Sequence, residues 1–194
     1  MTVTRFFKKL GFDSAAAAYL RSNKELHQSL LGRTGRLVSA ETNGNLNLVK
    51  LTARWVNKDA DNTFQRVIIE KTETGFVSSQ VTVPLQAAHA LSSATISSSL
   101  FAATDEAGIP DAVAVQLAEI FSGQIDFRRS LRKGDRLSVV YEDLQADGES
   151  MRSGKVLSAE FVNNGKSNQA VLFQDAASSK GQYYTFDGQS LRKA

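Results

Sequence analysis

Arg36-Leu37-Val38-Ser39-Ala40-Glu41-Thr42-Asn43-Gly44-Asn45-Leu46-Asn47-Leu48-Val49-Lys50-Leu51 is the stretch on which the fold class turns. Two strand-like runs, 36–40 and 46–51, flank Thr42-Asn43-Gly44-Asn45. Asn-Gly is a strong hairpin signal because both residues tolerate positive φ. Further strands are predicted at 53–56, 64–71 and 76–83, with turns at Asp59-Ala60-Asp61-Asn62 and Thr74-Gly75. Pro84 then interrupts the ladder.

Upstream of this run the pattern is helical. Phe6, Phe7 and Leu10 share one face, with Gly11 as a stop. Asp13 or Ser14 caps a second helix over 15–20, and Asn23 caps a third that carries Leu26 and Leu30 and ends at Gly32. Downstream, 85–99 is rich in Ala and Ser, and a domain boundary is placed there, giving 1–84 and 85–194. Ser98 or Ser99 opens a helix that stops at Gly108. Pro110-Asp111 opens the next, striped by Val113, Leu117, Ile120 and Phe121. Strands are then predicted at 136–144, 155–163, 167–174 and 182–186, turned by Asp147-Gly148, Asn164-Gly165 and Asp187-Gly188. The expected class is α+β, two small domains with short helices followed by antiparallel strands.

Composition narrows the chemistry. The 194 residues hold two histidines and no cysteine, which removes disulfides, thiolate catalysis and Cys-ligated zinc. His27 and His89 stand far apart, which argues against a His-rich metal site. No apolar run approaches the roughly 20 residues that span a bilayer, and no secretory leader is read. Residues 1–97 carry 12 basic and 7 acidic side chains, net +5, and 98–194 carry 11 and 13, net −2. The sequence pI near 9.2 raises nucleic acid as a partner. The bases are scattered, however, which favours a solvated basic face or an anionic envelope polymer.

Each candidate for chemistry meets a plainer reading. Gly165-Lys166-Ser167 ends like a phosphate loop, but position 160 is Glu160 and the stretch lies between two strands, so it reads as a hairpin turn. Ser97-Ser98-Ser99 is capping material, without a nucleophile elbow around it. Neither His89 nor His27 has an evident orienting partner. Asp105-Glu106 and Glu142-Asp143 are adjacent carboxylates that point apart. Tyr183, Tyr184 and Phe186 stand at strand spacing and read as core. The densest charge is Asp126, Arg128, Arg129, Arg132, Lys133, Asp135 and Arg136, read as a surface ion-pair network. Its functional alternative is a docking surface in which Asp126, Arg128, Arg132 and Arg136 take part, the guanidinium forks holding carboxylates of a neighbouring domain or of a peptide-bearing glycan.

Several ordered segments add a resemblance. They run from 98–103 through Ala107-Gly108-Ile109-Pro110-Asp111, 116–121 and Ile125-Asp126-Phe127-Arg128 to Leu131-Arg132-Lys133-Gly134-Asp135-Arg136. The series continues with 159–166, Tyr183-Tyr184 and 187–194. It resembles the domain preceding the catalytic domain of Gram-negative lysostaphin-type (LytM-type) zinc metallopeptidases, which cut peptide cross-links of peptidoglycan. More loosely, 6–31 followed by Gly35-Arg36-Leu37-Val38 is similar to their LysM-like, opacity-associated-protein-A-like front domain, without its Gly-Asp-Thr-Leu opening strand. The family's zinc ligands, an H-x-x-x-D motif and an H-x-H, are not in this sequence: Leu31 and Ser93 stand four residues after the two histidines.

The resemblance therefore implies the non-catalytic front of a periplasmic or cell-envelope murein DD-endopeptidase, inactive alone. Zinc would belong to a catalytic domain beyond these residues. Its partners would be that peptidase domain and peptidoglycan, not nucleic acid, with a membrane contact only through an N-terminal anchor outside this sequence. The sequence is thus expected to be a fragment. In some members an acidic side chain of the first domain reaches the zinc, and Glu41 is the candidate counterpart, against an exposed turn-flanking carboxylate. A stand-alone peptidoglycan-binding module is the alternative.

Overall fold

The computed structural model describes residues 14–30, 35–45, 47–57, 62–174 and 181–191. The expected helix around Phe6 and Leu10, the stops at Gly11 and Gly32 and most of the 59–62 turn lie outside them. The chain divides into two compact units, Met1–Leu85 and Gln86–Ala194.

In the first unit, α1 (Ser14–Ser22) and α2 (Lys24–Leu30) precede a four-stranded antiparallel sheet. Its strands are β1 (Leu37–Thr42), β2 (Leu48–Trp55), β3 (Thr63–Thr72) and β4 (Gly75–Pro84), paired in sequence order. Asn23 starts α2 by accepting the Leu26 N–H at its Oδ1, 3.2 Å. Ala16, Ala17, Leu20 and Leu26 pack on Leu48, Leu51, Ala53, Trp55, Val67 and Ile69. Helices this short are marginal in water, so the sheet face they cover is what holds them.

Two expectations change here. The runs 46–51 and 53–56 are one strand, because no turn residue separates them and Leu51, Thr52 and Ala53 are all buried. Neither Asn43 nor Gly44 takes a positive φ. The β1–β2 connection is closed instead by the Asn43 carboxamide, whose Oδ1 accepts the N–H groups of Asn45 (3.1 Å) and Asn47 (3.0 Å).

The second unit holds β5 (Gln86–Thr95), α3 (Leu100–Glu106), α4 (Asp111–Phe121), β6 (Arg136–Ala146), β7 (Glu149–Asn163), β8 (Lys166–Phe173) and β9 (Gln182–Tyr184). All five strands form one antiparallel sheet in sequence order. β5 is a strand that periodicity does not signal, placed ahead of the helices. Its side chains are nearly all small, yet every residue from Gln86 to Thr95 pairs with β6. Ala90 and Ala94 face the core beside Leu100 and Ala103 of α3.

The predicted punctuation appears in place. Ser99 Oγ accepts the Ala102 N–H at 3.2 Å, and α4 starts after Pro110. Asn164-Gly165 and Asp147-Gly148 both carry positive φ, which is the two-residue hairpin geometry. The stripe of α4 enters the core, where Phe161 receives edge contacts from Phe121 (6.1 Å) and Phe127 (5.7 Å).

Gln116 joins α4 to the irregular middle of β7. Its Nε2 donates to the Gly154 carbonyl and its Oε1 accepts the Val156 N–H, both at 2.9 Å. Beside it, Glu142 Oε2 accepts the Lys155 N–H at 2.9 Å, in space that a Cβ on residue 154 would enter at 2.4 Å. Val156 is fully buried, so its N–H depends on that one acceptor. Gln116→Leu is expected to destabilise the unit by about 1–3 kcal/mol, with Gln116→Glu losing less because it keeps the acceptor. Chemical denaturation measures this, and an unchanged midpoint in Gln116→Leu means the bridge contributes nothing.

Candidate functional site

The segment between α4 and β6 holds most of the residues singled out in the sequence. A turn runs from Asp126 to Ser130, with Asp126 O accepting the Ser130 N–H at 2.8 Å. Asp126 Oδ1 caps that turn, accepting the N–H groups of Arg128 (3.0 Å) and Arg129 (3.2 Å). The Arg132 guanidinium donates from Nη1 to the carbonyls of Arg129 and Leu131, each at 3.2 Å. A cleft of about 460 Å3 opens along Ser122–Arg128. The turn thus brings Asp126, Arg128 and Arg132 into one loop. Arg136 stands apart at the start of β6, between Thr95 and Val162.

Asp135 organises this loop. It is only 7% exposed, and three donors meet its carboxylate. Oδ2 accepts the Arg132 N–H and the Asn163 Nδ2, both at 2.7 Å, and Oδ1 accepts the Asn164 N–H at 3.0 Å. Burial pushes the carboxyl pKa up, but the Arg132 and Asn164 N–H groups, the Asn163 amide and the nearby Arg132 charge outweigh it and hold it below the usual value. The ion-pair network expected of this segment is replaced by carboxylates bonded to backbone and amide N–H groups. Arg128, Arg129, Arg132 and Lys133 are left exposed.

The remaining candidates are dispersed. Glu41 is exposed on edge strand β1, opposite Lys50 in register. Lys50 itself pairs with Glu70 at 2.9 Å, and that hydrogen bond raises its pKa. His27 lies exposed on α2 in the first unit and His89 exposed on β5 in the second. Lys166 and Ser167 begin β8, and Ser167 Oγ donates to Glu160 Oε1 at 2.6 Å. Tyr183 is core-packed and its hydroxyl donates to the Val156 carbonyl at 2.9 Å; burial first, then Glu142 and Glu119, pushes its pKa up to about 12. Phe186, read as core, is 65% exposed because β9 ends at Tyr184 and the chain turns out through 185–189. Among the described residues no three His, Cys, Asp or Glu side chains are grouped to hold a metal ion. The donors among these residues do not fit zinc. No helix among them is long and apolar enough to cross a membrane.

One site went unread in the sequence. In the first unit a polar cleft of about 510 Å3 is lined by Glu25, Gln28, Arg36, Trp55, Asn57 and Gln80, among others. The Arg36 guanidinium lies 4.5 Å from the centre of the Trp55 ring, and Trp55 Nε1 donates to Asn57 Oδ1 at 3.2 Å. Trp55 is the sole tryptophan, which is the one signal that pointed there.

Residues 86–194 match the family described as the Csd3 second domain. The chain belongs to that family. Among curated relatives it is 27% identical over 135 residues to peptidoglycan DD-endopeptidase ShyC of Vibrio cholerae, covering 68% of this chain and 29% of that protein. It is 36% identical over 91 residues to peptidoglycan DD-endopeptidase ShyA of the same organism, covering 46% and 20%. The chain therefore spans under a third of the length of these curated relatives. Of solved structures, a zinc-containing peptidase from Vibrio cholerae superposes with a TM-score of 0.51 at 18% identity, over 100% of this chain and 57% of that one. Helicobacter pylori Csd3 superposes with a TM-score of 0.52 at 18% identity, over 95% and 48%. At that identity the likeness is one of fold. The resemblance read from the ordered segments of 98–194 and these matches agree on the family.

Asp135 sets a pH dependence. Its carboxyl is more acidic folded than unfolded, so the unfolded chain binds the proton first on acidification. The stabilisation is complete above an unfolded value of about 3.9 and is lost as pH falls through the folded value. Asp135→Asn is expected to lower stability at neutral pH by about 1–3 kcal/mol and to flatten the acid limb below about pH 4. Equilibrium unfolding across pH reads both, and an acid limb as steep in the variant removes Asp135 from this role.

Proposed function

We propose that this chain is a non-catalytic accessory segment of a cell-envelope peptidoglycan DD-endopeptidase, regulating and positioning substrate for a peptidase domain. The observation that carries the reading is the family match over 86–194, joined by two relatives that are both peptidoglycan DD-endopeptidases. In this reading residues 1–84 are the front domain and 85–194 the domain that precedes the peptidase. The zinc and the bond-breaking step belong to the peptidase domain, and the setting is the periplasm or cell envelope.

The chain's own groups then bind and orient. Asp126 and Asp135 fix the loop backbone, which leaves Arg128 and Arg132 on its surface. With Arg136 they hold carboxylates of the peptidase domain or of a stem peptide, a role suited to planar forks. Glu41, exposed on an edge strand, is the proposed inhibitory acid.

Incubated with peptidoglycan and zinc, the purified chain is expected to release no muropeptides above a buffer control; release overturns the reading. The peptidase domain is expected to hydrolyse sacculi more slowly when joined to this segment than alone, and equal rates remove the regulatory part. The polar cleft at Trp55 and the net +5 of residues 1–97 favour one second reading, a self-sufficient peptidoglycan-binding module. Co-sedimentation with sacculi that survives moderate salt supports it, whereas loss in salt marks a merely electrostatic contact.

A further inference from the structure

Among the described residues, helices cover the sheet of the second unit on one face only. Val139, Ala159 and Ala170 point into the core under α3 and α4. Their sequence neighbours point the other way, since side chains alternate along a strand. Register places Leu91, Val140, Ser158, Val171 and Tyr184 in one row across all five strands of that second face. The row is apolar but for Ser158 and the Tyr184 hydroxyl, and it is open at both ends. Leu91 is 73% exposed at the β5 edge, and Phe173 (61%) and Phe186 (65%) are exposed at the β9 side. A groove of about 170 Å3 lies on this face, with Leu91 and Phe186 both in its lining.

We propose that this open sheet face, from Leu91 to Phe186, is the docking surface for the peptidase domain of the same polypeptide. The inference rests on the reading of the chain as an accessory segment and adds an apolar surface for the peptidase beside the guanidinium forks.

Three observations favour that occupant. The relatives matched are peptidases longer than these 194 residues, which span 29% of one and 57% of another. Association between free molecules takes roughly 1,200 Å2 or more of buried surface. A domain on the same chain is held at roughly millimolar effective concentration, so a modest patch holds it. Finally, five polar groups on the face already have partners within it. Ser93 and Ser138 hydroxyls lie 3.2 Å apart, and Glu160 accepts from Ser167 (2.6 Å) and Gln169 (3.3 Å). Covering these five leaves them paired, which limits the desolvation penalty.

The test compares the 194-residue chain with the polypeptide encoded by its whole reading frame. Chymotrypsin cuts after aromatic residues, and Phe186 offers an exposed site in a turn outside the strands. Cleavage there is expected to be slowed about tenfold or more in the longer polypeptide. Leu91→Asp, at the far edge of the sheet, is expected to restore the fast cut. It should leave the melting of the 194-residue chain unchanged, because Leu91 is solvated there. Equal cleavage in both polypeptides, or protection indifferent to Leu91→Asp, overturns the docking surface while leaving the accessory role standing. A Leu91-dependent dimer of the 194-residue chain in light scattering assigns the face to a second copy and overturns it too. A reading frame without a peptidase domain overturns both readings together.

Discussion

The second unit depends on a single buried carboxylate. A charge at 7% exposure is unfavourable unless hydrogen bonds replace its water, and Asp135 has three within 3.0 Å. Those donors come from two parts of the chain, the loop before β6 and the β7–β8 hairpin. The Asp135 main chain recruits a third, since its carbonyl accepts the Ile96 N–H at 2.8 Å and the Ile96 carbonyl accepts the Gly134 N–H at 2.9 Å. The end of β5, the return from α4 and the hairpin tip are therefore tied at one atom cluster. Asn163 extends the tie by donating to the Ser130 carbonyl at 2.9 Å.

That cluster explains why a loop with four exposed bases keeps one shape. Like charges at Arg128, Arg129, Arg132 and Lys133 repel, and the Asp126 and Asp135 carboxylates beside them accept backbone and amide N–H groups. The backbone is held from the inside instead, by Asp126 on the turn N–H groups and Asp135 on the hairpin. The fold-determining acids are spent on backbone and amide donors, and the bases are left for solvent or a partner.

What the sequence disclosed follows the range of the interactions involved. Asn164-Gly165 and Asp147-Gly148 were legible because a two-residue hairpin imposes positive φ on those very residues. The α4 stripe was legible because 3.6-residue periodicity records which face is buried. β5 was not, because its inward residues Ala90 and Ala94 are small to admit α3, and a run of small residues looks like a linker. Asn43-Gly44 misled in detail: the residue types suit a tight turn, but the Asn43 carboxamide closes a wider one. Asp135 looked like one more surface charge, since Asn163 and Asn164 reach it from 28 and 29 residues away. Trp55 and Arg36, likewise, meet only through the folded sheet.

The same distinction bears on function. Catalysis needs groups brought within hydrogen-bond reach of one another and of a substrate atom. The titratable groups whose environments are unusual here are Asp135, Glu160, Lys50 and Tyr183, and each is accounted for by a structural bond. Asp135 braces a loop, Glu160 joins β7 to Ser167 and Gln169, Lys50 pairs with Glu70, and Tyr183 caps the Val156 carbonyl. What stays exposed is surface: cationic forks on the α4–β6 loop, an amide-lined cleft in the first unit, and a largely apolar row on the second face of the second sheet. Surfaces of three different chemistries suit partners of different chemistry, which is what the proposed accessory role between a polymer and a peptidase asks for.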